Sequence, residues 1–138
     1  MTRCACKSYS CIASLQEDVQ VRLLKGANTA QGLVQVGFRG KWGGVCDRFW
    51  DQHSADVVCR QLGFSGAHVA TKGLAFGELQ GLIWLEKVTC RGEEKSLLDC
   101  NLSVWGEVND TFCNHRTAAG VVCIGKTMVM HLIGTNIY

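Results

Sequence analysis

The stretch Asp51-Gln52-His53-Ser54-Ala55-Asp56-Val57-Val58-Cys59-Arg60-Gln61-Leu62-Gly63 decides the fold. Asp51 is a good N-cap, because its carboxylate can accept an unpaired N–H of a first helical turn. Ala55, Val58, Cys59 and Leu62 follow at spacings of three and four, which places them on one apolar helical face. Gly63 then stops the helix as a C′ residue. The spacing predicts one helix, roughly Gln52 to Leu62, with a cysteine on its buried side.

Outward from this helix the chain reads as short strands. Val19, Val21 and Leu23 alternate with Gln20, Arg22 and Leu24, and the pattern ends at Gly26. Leu33-Val34-Gln35-Val36-Gly37-Phe38 is a second strand. Arg39-Gly40-Lys41 is a tight turn with two positive charges at its tip, and Trp42-Gly43-Gly44-Val45-Cys46 returns as the second arm of a hairpin. Ile83 to Val88 reads as a strand running into Cys90, Glu94 to Cys100 as a short helical turn, and Gly120-Val121-Val122-Cys123 as a last buried strand. Many short strands with one helix describe a small α+β domain. The reading divides the chain into a flank at 1–18, a domain at 19–124 and a tail at 125–138.

The 138 residues carry 14 Lys+Arg against 12 Asp+Glu, a net charge of +2. That balance excludes strong nucleic-acid or membrane-surface binding by net charge alone. The longest apolar runs cover a few residues, so no segment of this chain is expected to insert in a bilayer. Residues 1–18 are broken by Arg3, Lys7 and several Ser, and do not read as a signal peptide.

Nine cysteines stand at 4, 6, 11, 46, 59, 90, 100, 113 and 123, with no C-x-x-C among them. Six of them, spread from Cys46 to Cys123, read as a disulfide framework of an oxidising compartment. Six cysteines allow 15 pairings, and spacing does not choose among them. Cys4, Cys6 and Cys11 have no assigned role, and an odd total leaves at least one thiol unpaired or intermolecular. Two N-x-S/T sequons, at Asn101 and Asn109, lie in one polar stretch between Cys100 and Cys113 and are candidate glycosylation sites on an exposed loop.

No enzyme motif is complete. Gly63-Phe64-Ser65-Gly66 misses the G-x-S-x-G spacing by one residue. There is no phosphate loop and no dinucleotide fingerprint. Cys113 beside His115 reads as a disulfide cysteine near a surface histidine rather than a metal pair; His53 falls in the first helical turn, and His68 and His131 have no visible partner in the sequence. No cofactor is expected.

Longer motifs carry a family resemblance. Trp42-Gly43-Gly44-Val45-Cys46-Asp47 resembles W-G-x-V-C-D of scavenger receptor cysteine-rich (SRCR) domains. Ala55 to Phe64 resembles their A-x-V-V-C-R-Q-L-G-[CFY] helix. Ile83-Trp84-Leu85 through Val88, Cys90, Gly92, Glu94, Ser96, Leu97 and Cys100 resembles I-W-L-D-x-V-x-C-x-G-x-E-x-S-L-x-x-C, and Trp105-Gly106 and Ala119-Gly120-Val121-Val122-Cys123 match as well. The resemblance implies a small disulfide-rich fold in which a curved antiparallel β-sheet cradles one α-helix. It implies the pairs Cys46–Cys113, Cys59–Cys123 and Cys90–Cys100. The extra bridge of eight-cysteine members would fall at Ala30 and Phe64, so the chain resembles the six-cysteine, group A type. Trp42, Trp50 and Trp84 are expected in the core, since a domain this small needs large apolar side chains beside its bridges.

Functionally, the resemblance implies a non-catalytic extracellular module, secreted or part of a membrane protein's ectodomain, that binds polyanionic, microbial or protein ligands. The rival is an accessory domain of a secreted enzyme such as a lysyl-oxidase-like protein or a mosaic serine protease. Several SRCR domains bind ligands through calcium. Of that site only Asp47 remains here, because Arg48, Arg116 and Ala118 occupy the other acidic positions. Calcium requires six to eight oxygens and charge compensation, so no metal is expected. A Cys46–Cys113 bridge would gather Asp47, Arg48 and Arg116. The expectation is that Asp47 pairs with one arginine while the other, with Arg39 and Lys41, faces anionic ligands. Lys72 is expected to lie outside that patch.

Overall fold

The computed structural model describes residues 19–125. Cys4, Cys6, Cys11, His131 and both flanking segments lie outside them. Eight strands and one helix follow in the order β1 (Gln20–Lys25), β2 (Gln31–Phe38), β3 (Lys41–Val45), α1 (Gln52–Gln61), β4 (Gly66–Thr71), β5 (Ile83–Leu85), β6 (Val88–Thr89), β7 (Asn101–Leu102) and β8 (Gly120–Ile124). The main sheet runs β4-β8-β2-β3-β5, with β1 also paired to β2, while β6 and β7 form a separate small ladder. The pairing is antiparallel except between β3 and β5, which are parallel. The sheet is thus antiparallel, as the resemblance implied, apart from that one edge pair.

The β2–β3 turn is tighter than the sequence reading. Phe38 pairs with Lys41, so only Arg39 and Gly40 lie between the strands. Both have positive φ, 52° and 79°. This is the two-residue turn whose twist matches the flanking strands. Gly40 adopts it freely, whereas Arg39 does so at a steric cost.

Helix α1 is capped as expected. The Asp51 carboxylate accepts the Ser54 N–H at 3.1 Å, and Gly63 takes φ +99° just past the end. Ser54, Ala55, Val57, Val58 and Cys59 are buried, and the last four pack with Val34, Val36, Val45, Leu85 and Val121 of the sheet. Helix and strand β4 are tied by polar groups too. Asp56 Oδ1 accepts the Ala67 N–H at 2.8 Å, and Gln52 donates to Ala67 O at 2.8 Å.

Three disulfides join Cys46–Cys113, Cys59–Cys123 and Cys90–Cys100. Cys59–Cys123 fastens the helix to β8. Ala30 and Phe64, where eight-cysteine relatives would carry a fourth bridge, instead pack as apolar side chains on the main core.

Sequence expectations fail in three instructive places. The strand expected from Ile83 to Val88 is split at Glu86–Lys87. There the Ser103 hydroxyl accepts both backbone N–H groups, at 3.1 and 3.0 Å, in place of a strand partner. The turn expected over Glu94–Cys100 shrinks to a 3-10 turn at Leu97–Asp99, capped by Ser96. Of the three tryptophans expected in the core, only Trp50 is buried, its indole N–H donating to Gly120 O at 2.9 Å. Trp42 and Trp84 are half-buried. Trp84 packs against the edge of the main core and there builds an aromatic cluster with Phe38 and Trp105, in which the Phe38 and Trp105 rings stack at 4.2 Å.

Candidate ligand-binding surface

The aromatic cluster props up the β2–β3 hairpin. Phe38 is the last residue of β2, and the Trp84 indole donates to Lys41 O at 3.0 Å. The turn is thus held from below by β5 and the 105 region while its basic side chains face outward. Beside it, the Arg22 guanidinium lies 4.1 Å over the Trp42 ring. Arg22 Nε and one Nη both donate to Gln35 Oε1, at 2.9 and 2.8 Å, which fixes the group's plane. Gln20, Gly37, Phe38, Arg39, Gly40, Lys41 and Trp42 line a shallow hollow of about 320 Å³. Among the described residues, no carboxylate lines it. Among the described residues, no ion pair involves Arg22, Arg39 or Lys41.

The second basic region lies at the Cys46–Cys113 bridge. The Asp47 N–H donates to Thr117 O at 2.9 Å, so Asp47 and the Arg116 segment are neighbours, as the resemblance implied. The pairing inside this group differs from expectation. Asp47 Oδ2 accepts the Gly73 backbone N–H at 2.6 Å. Arg48 pairs with Glu86 at 3.1 Å, and Arg116 with Glu78 at 3.3 Å. Each guanidinium therefore has its own carboxylate, and neither arginine takes Asp47. Lys72 precedes Gly73 directly, so it borders this region rather than standing apart from it. As a cation site the donor set is poor. Its one carboxylate already serves a backbone amide, and the neighbouring positions carry positive charge.

Glu86 is the residue that sequence reasoning missed. Its carboxylate takes Arg48 on one oxygen and the Asn109 N–H, at 2.8 Å, on the other. The motif position was visible in Ile83-Trp84-Leu85-Glu86, but nothing local signalled which cation it serves. Glu78 is equally remote in sequence from Arg116.

A further polar centre is structural. Glu94 is almost fully buried and accepts the N–H groups of Arg91 and Gly92 at 2.8 and 2.9 Å. The hydrogen bond from the Arg91 backbone is the main cause that lowers its pKa to about 2. Arg60 donates to the carbonyls of Gly92 and Glu94, and Gln61 Oε1 accepts the Leu97 N–H at 2.8 Å. The Arg60-Gln61 pair of the helix motif therefore anchors the Gly92–Leu97 loop. Cys90, Glu94 and Cys100 lie together, but both thiols are consumed by their mutual bridge.

An open cleft of about 460 Å³ lies between Gly81–Ile83, Gly106–Asp110 and Cys113–His115. His115 Nε2 sits 3.1 Å from Gly81 O across it. Both sequon asparagines are exposed. Asn101 lies in β7, and Asn109 opens the turn that leads to Cys113.

The family model of the scavenger receptor cysteine-rich domain matches residues 24–124. The chain belongs to the SRCR family. SRCR domains are ligand-binding modules, and solved relatives share this chain's architecture. It superimposes on the third SRCR domain of murine neurotrypsin with a TM-score of 0.68 and 39 % identity, covering 76 % of this chain and 95 % of that one. It matches the SRCR domain of mouse MARCO, solved in a dimeric form, with a TM-score of 0.62 and 40 % identity, covering 81 % of this chain and all of that one. Among curated proteins, galectin-3-binding protein of Pongo abelii is 45 % identical over 116 residues, which is 84 % of this chain and 19 % of that protein. The rat protein of the same name is 39 % identical over 117 residues, 85 % of this chain and 20 % of that one. This SRCR chain thus spans about a fifth of the curated relatives it matches.

Proposed function

We propose that this SRCR domain is a non-catalytic, extracellular binding module whose anion-binding face is the β2–β3 hairpin. Arg39 and Lys41 are its contact residues and Arg22 a fixed flanking cation. The observation that carries this reading is the contrast in charge pairing. Arg48 and Arg116 are each neutralised by a glutamate, while Arg39 in the two-residue turn and Lys41 at the start of β3 have no carboxylate partner among the described residues. Arg116 then acts as a secondary contact, available only to ligands that displace Glu78, while Arg48 stays held by Glu86 and outside this face.

The test is binding of the chain to heparin, a sulfated polysaccharide. Arg39→Ala combined with Lys41→Ala is expected to weaken binding by tenfold or so, about 1.4 kcal/mol, and more than Arg48→Ala combined with Arg116→Ala. Lys95→Ala, on the Gly92–Leu97 loop, is the neutral control. Binding should fall with salt and ignore chelators. Abolition by a chelator, or equal loss in both double variants, would overturn the reading.

The name of the curated relatives supports a second reading, in which the ligand is a protein and galectin-3 is the first candidate. Direct binding of purified galectin-3 to this chain, insensitive to the Arg39/Lys41 substitutions, would favour it.

A further inference from the structure

Phe49 and Phe112 are 41 % and 47 % exposed and belong neither to the core nor to the hairpin face. Arg48 joins them, its guanidinium carbon lying 4.0 Å from the Phe112 ring centre and 5.0 Å from that of Phe49. Lys87 Nζ is 5.1 Å from the Phe49 ring centre. Two exposed aromatic rings with a planar cation between them make a platform that water covers poorly.

The same corner holds the sequon Asn109-Asp110-Thr111. Asn109 O accepts the Phe112 N–H at 3.0 Å and the Cys113 N–H at 2.9 Å, so sequon and aromatic ring share one turn. The Asn109 N–H is fixed by Glu86 Oε1 at 2.8 Å, and Glu86 in turn holds Arg48. Asn109 Oδ1 accepts the Thr111 N–H at 2.9 Å. Its amide Nδ2 is the one polar atom of the residue without a partner among the described residues, on an exposed side chain.

We propose that Asn109 carries an N-linked glycan whose first sugars lie over the Phe112–Arg48–Phe49 platform. A pyranose has a C–H face suited to an aromatic ring and an edge of hydroxyl and acetamide oxygens suited to a guanidinium. The occupant is tethered in the same turn as the ring it covers. In the transfer step the Asn109 Nδ2 attacks the anomeric carbon of a lipid-pyrophosphate-linked oligosaccharide. One C–N bond forms, the anomeric C–O bond to the pyrophosphate breaks, an amide proton is lost and the lipid pyrophosphate leaves. The sequon at Asn101 differs in its surroundings. Its Ser103 hydroxyl accepts the Glu86 and Lys87 N–H groups, and the Ser103 N–H donates to Lys87 O at 3.0 Å, so that sequon is built into the β5–β6 bend.

The experiment expresses the full chain through a eukaryotic secretory pathway, beside Asn109→Gln, Asn101→Gln, Phe112→Ala and the Asn109→Gln/Phe112→Ala pair. Glycopeptide mass is expected to place a glycan on Asn109. Nuclear Overhauser contacts should join the first N-acetylglucosamine to the Phe112 ring. Asn109→Gln should lower Tm by a few degrees, and that difference should vanish in the Phe112→Ala background. An unmodified Asn109 overturns the proposal. So does a glycan without ring contacts whose Tm effect survives Phe112→Ala, since it then projects into solvent. If the unmodified chain sediments as a dimer that Phe112→Ala dissociates, a second copy covers the platform and the proposal falls.

Discussion

Arg48 and Glu86 meet at 3.1 Å across 38 residues of sequence, and the glutamate simultaneously holds the backbone of Asn109. The two partners therefore differ in what they support. Arg48→Ala should cost at most about 1 kcal/mol, the ordinary value of a surface pair. Glu86→Ala also removes the exposed bond to the Asn109 N–H and should cost about 1 kcal/mol more. Urea unfolding of the two single variants and the double variant separates the terms. Equal costs would show that the Asn109 contact adds nothing.

The hairpin turn predicts an opposition between stability and binding. Arg39 sits at φ 52°, where a side chain with a Cβ is strained. Arg39→Gly, or Arg39→Asn, should raise stability by about 1 kcal/mol while weakening heparin binding. A variant that loses stability would mean that Arg39 makes a compensating contact. Its position 5.1 Å over the Phe38 ring is the one in view.

Glu94 sets an acid limit. Its folded pKa of about 2 lies below its ordinary 4.5, so the ionised form is favoured by folding. The stabilisation is complete above 4.5 and is lost as pH falls toward 2, because the unfolded chain then binds the proton more readily. Thermal melts from pH 6 to pH 2 should show a Tm decline that is shallower in Glu94→Gln. That variant should also start from a lower Tm at neutral pH, since a neutral amide accepts the Arg91 and Gly92 N–H groups less strongly. A parallel decline in both proteins would remove Glu94 from the account.

The bridges differ in the loops they close. Cys59–Cys123 spans 64 residues and Cys90–Cys100 spans 10. The chain-entropy argument gives about 4 and about 3 kcal/mol for them. Replacing both cysteines of the longer bridge by Ala should therefore cost more, the more so because it releases the helix from β8. Peptide mapping without reduction should recover the three pairs, and a Cys90–Cys113 peptide would contradict the structure.

Much of this architecture was readable because its signals are local. The Asp51 cap, the 55-58-59-62 face and Gly63 each act within one or two turns, and the Arg39-Gly40 tip within four residues. β4 was not seen, because Gly66-Ala67-His68-Val69-Ala70-Thr71 is made of small and mixed residues whose pairing with β8 is irregular at Ala67–Val69. The break at Glu86–Lys87 was invisible because its cause, Ser103, lies 16 or more residues away. The candidate site divides in the same way. The hairpin cations could be read directly, whereas the fate of Arg48 and Arg116 depended on Glu86 and Glu78, each 38 residues distant.

The sheet order places β8 between β4 and β2. The last strand of the described residues is thus the one that the two earlier strands share, and Gly120 carries the carbonyl that receives the buried Trp50 indole N–H. During vectorial synthesis the earlier hairpin and helix emerge with this seam open, and neither Cys46 nor Cys59 has its partner until Cys113 and Cys123 leave the ribosome. The domain closes like a clasp at its final strand. Chains stopped before Gly120 present two unsealed strand edges and at least one unmatched thiol, the features that quality-control machinery retains.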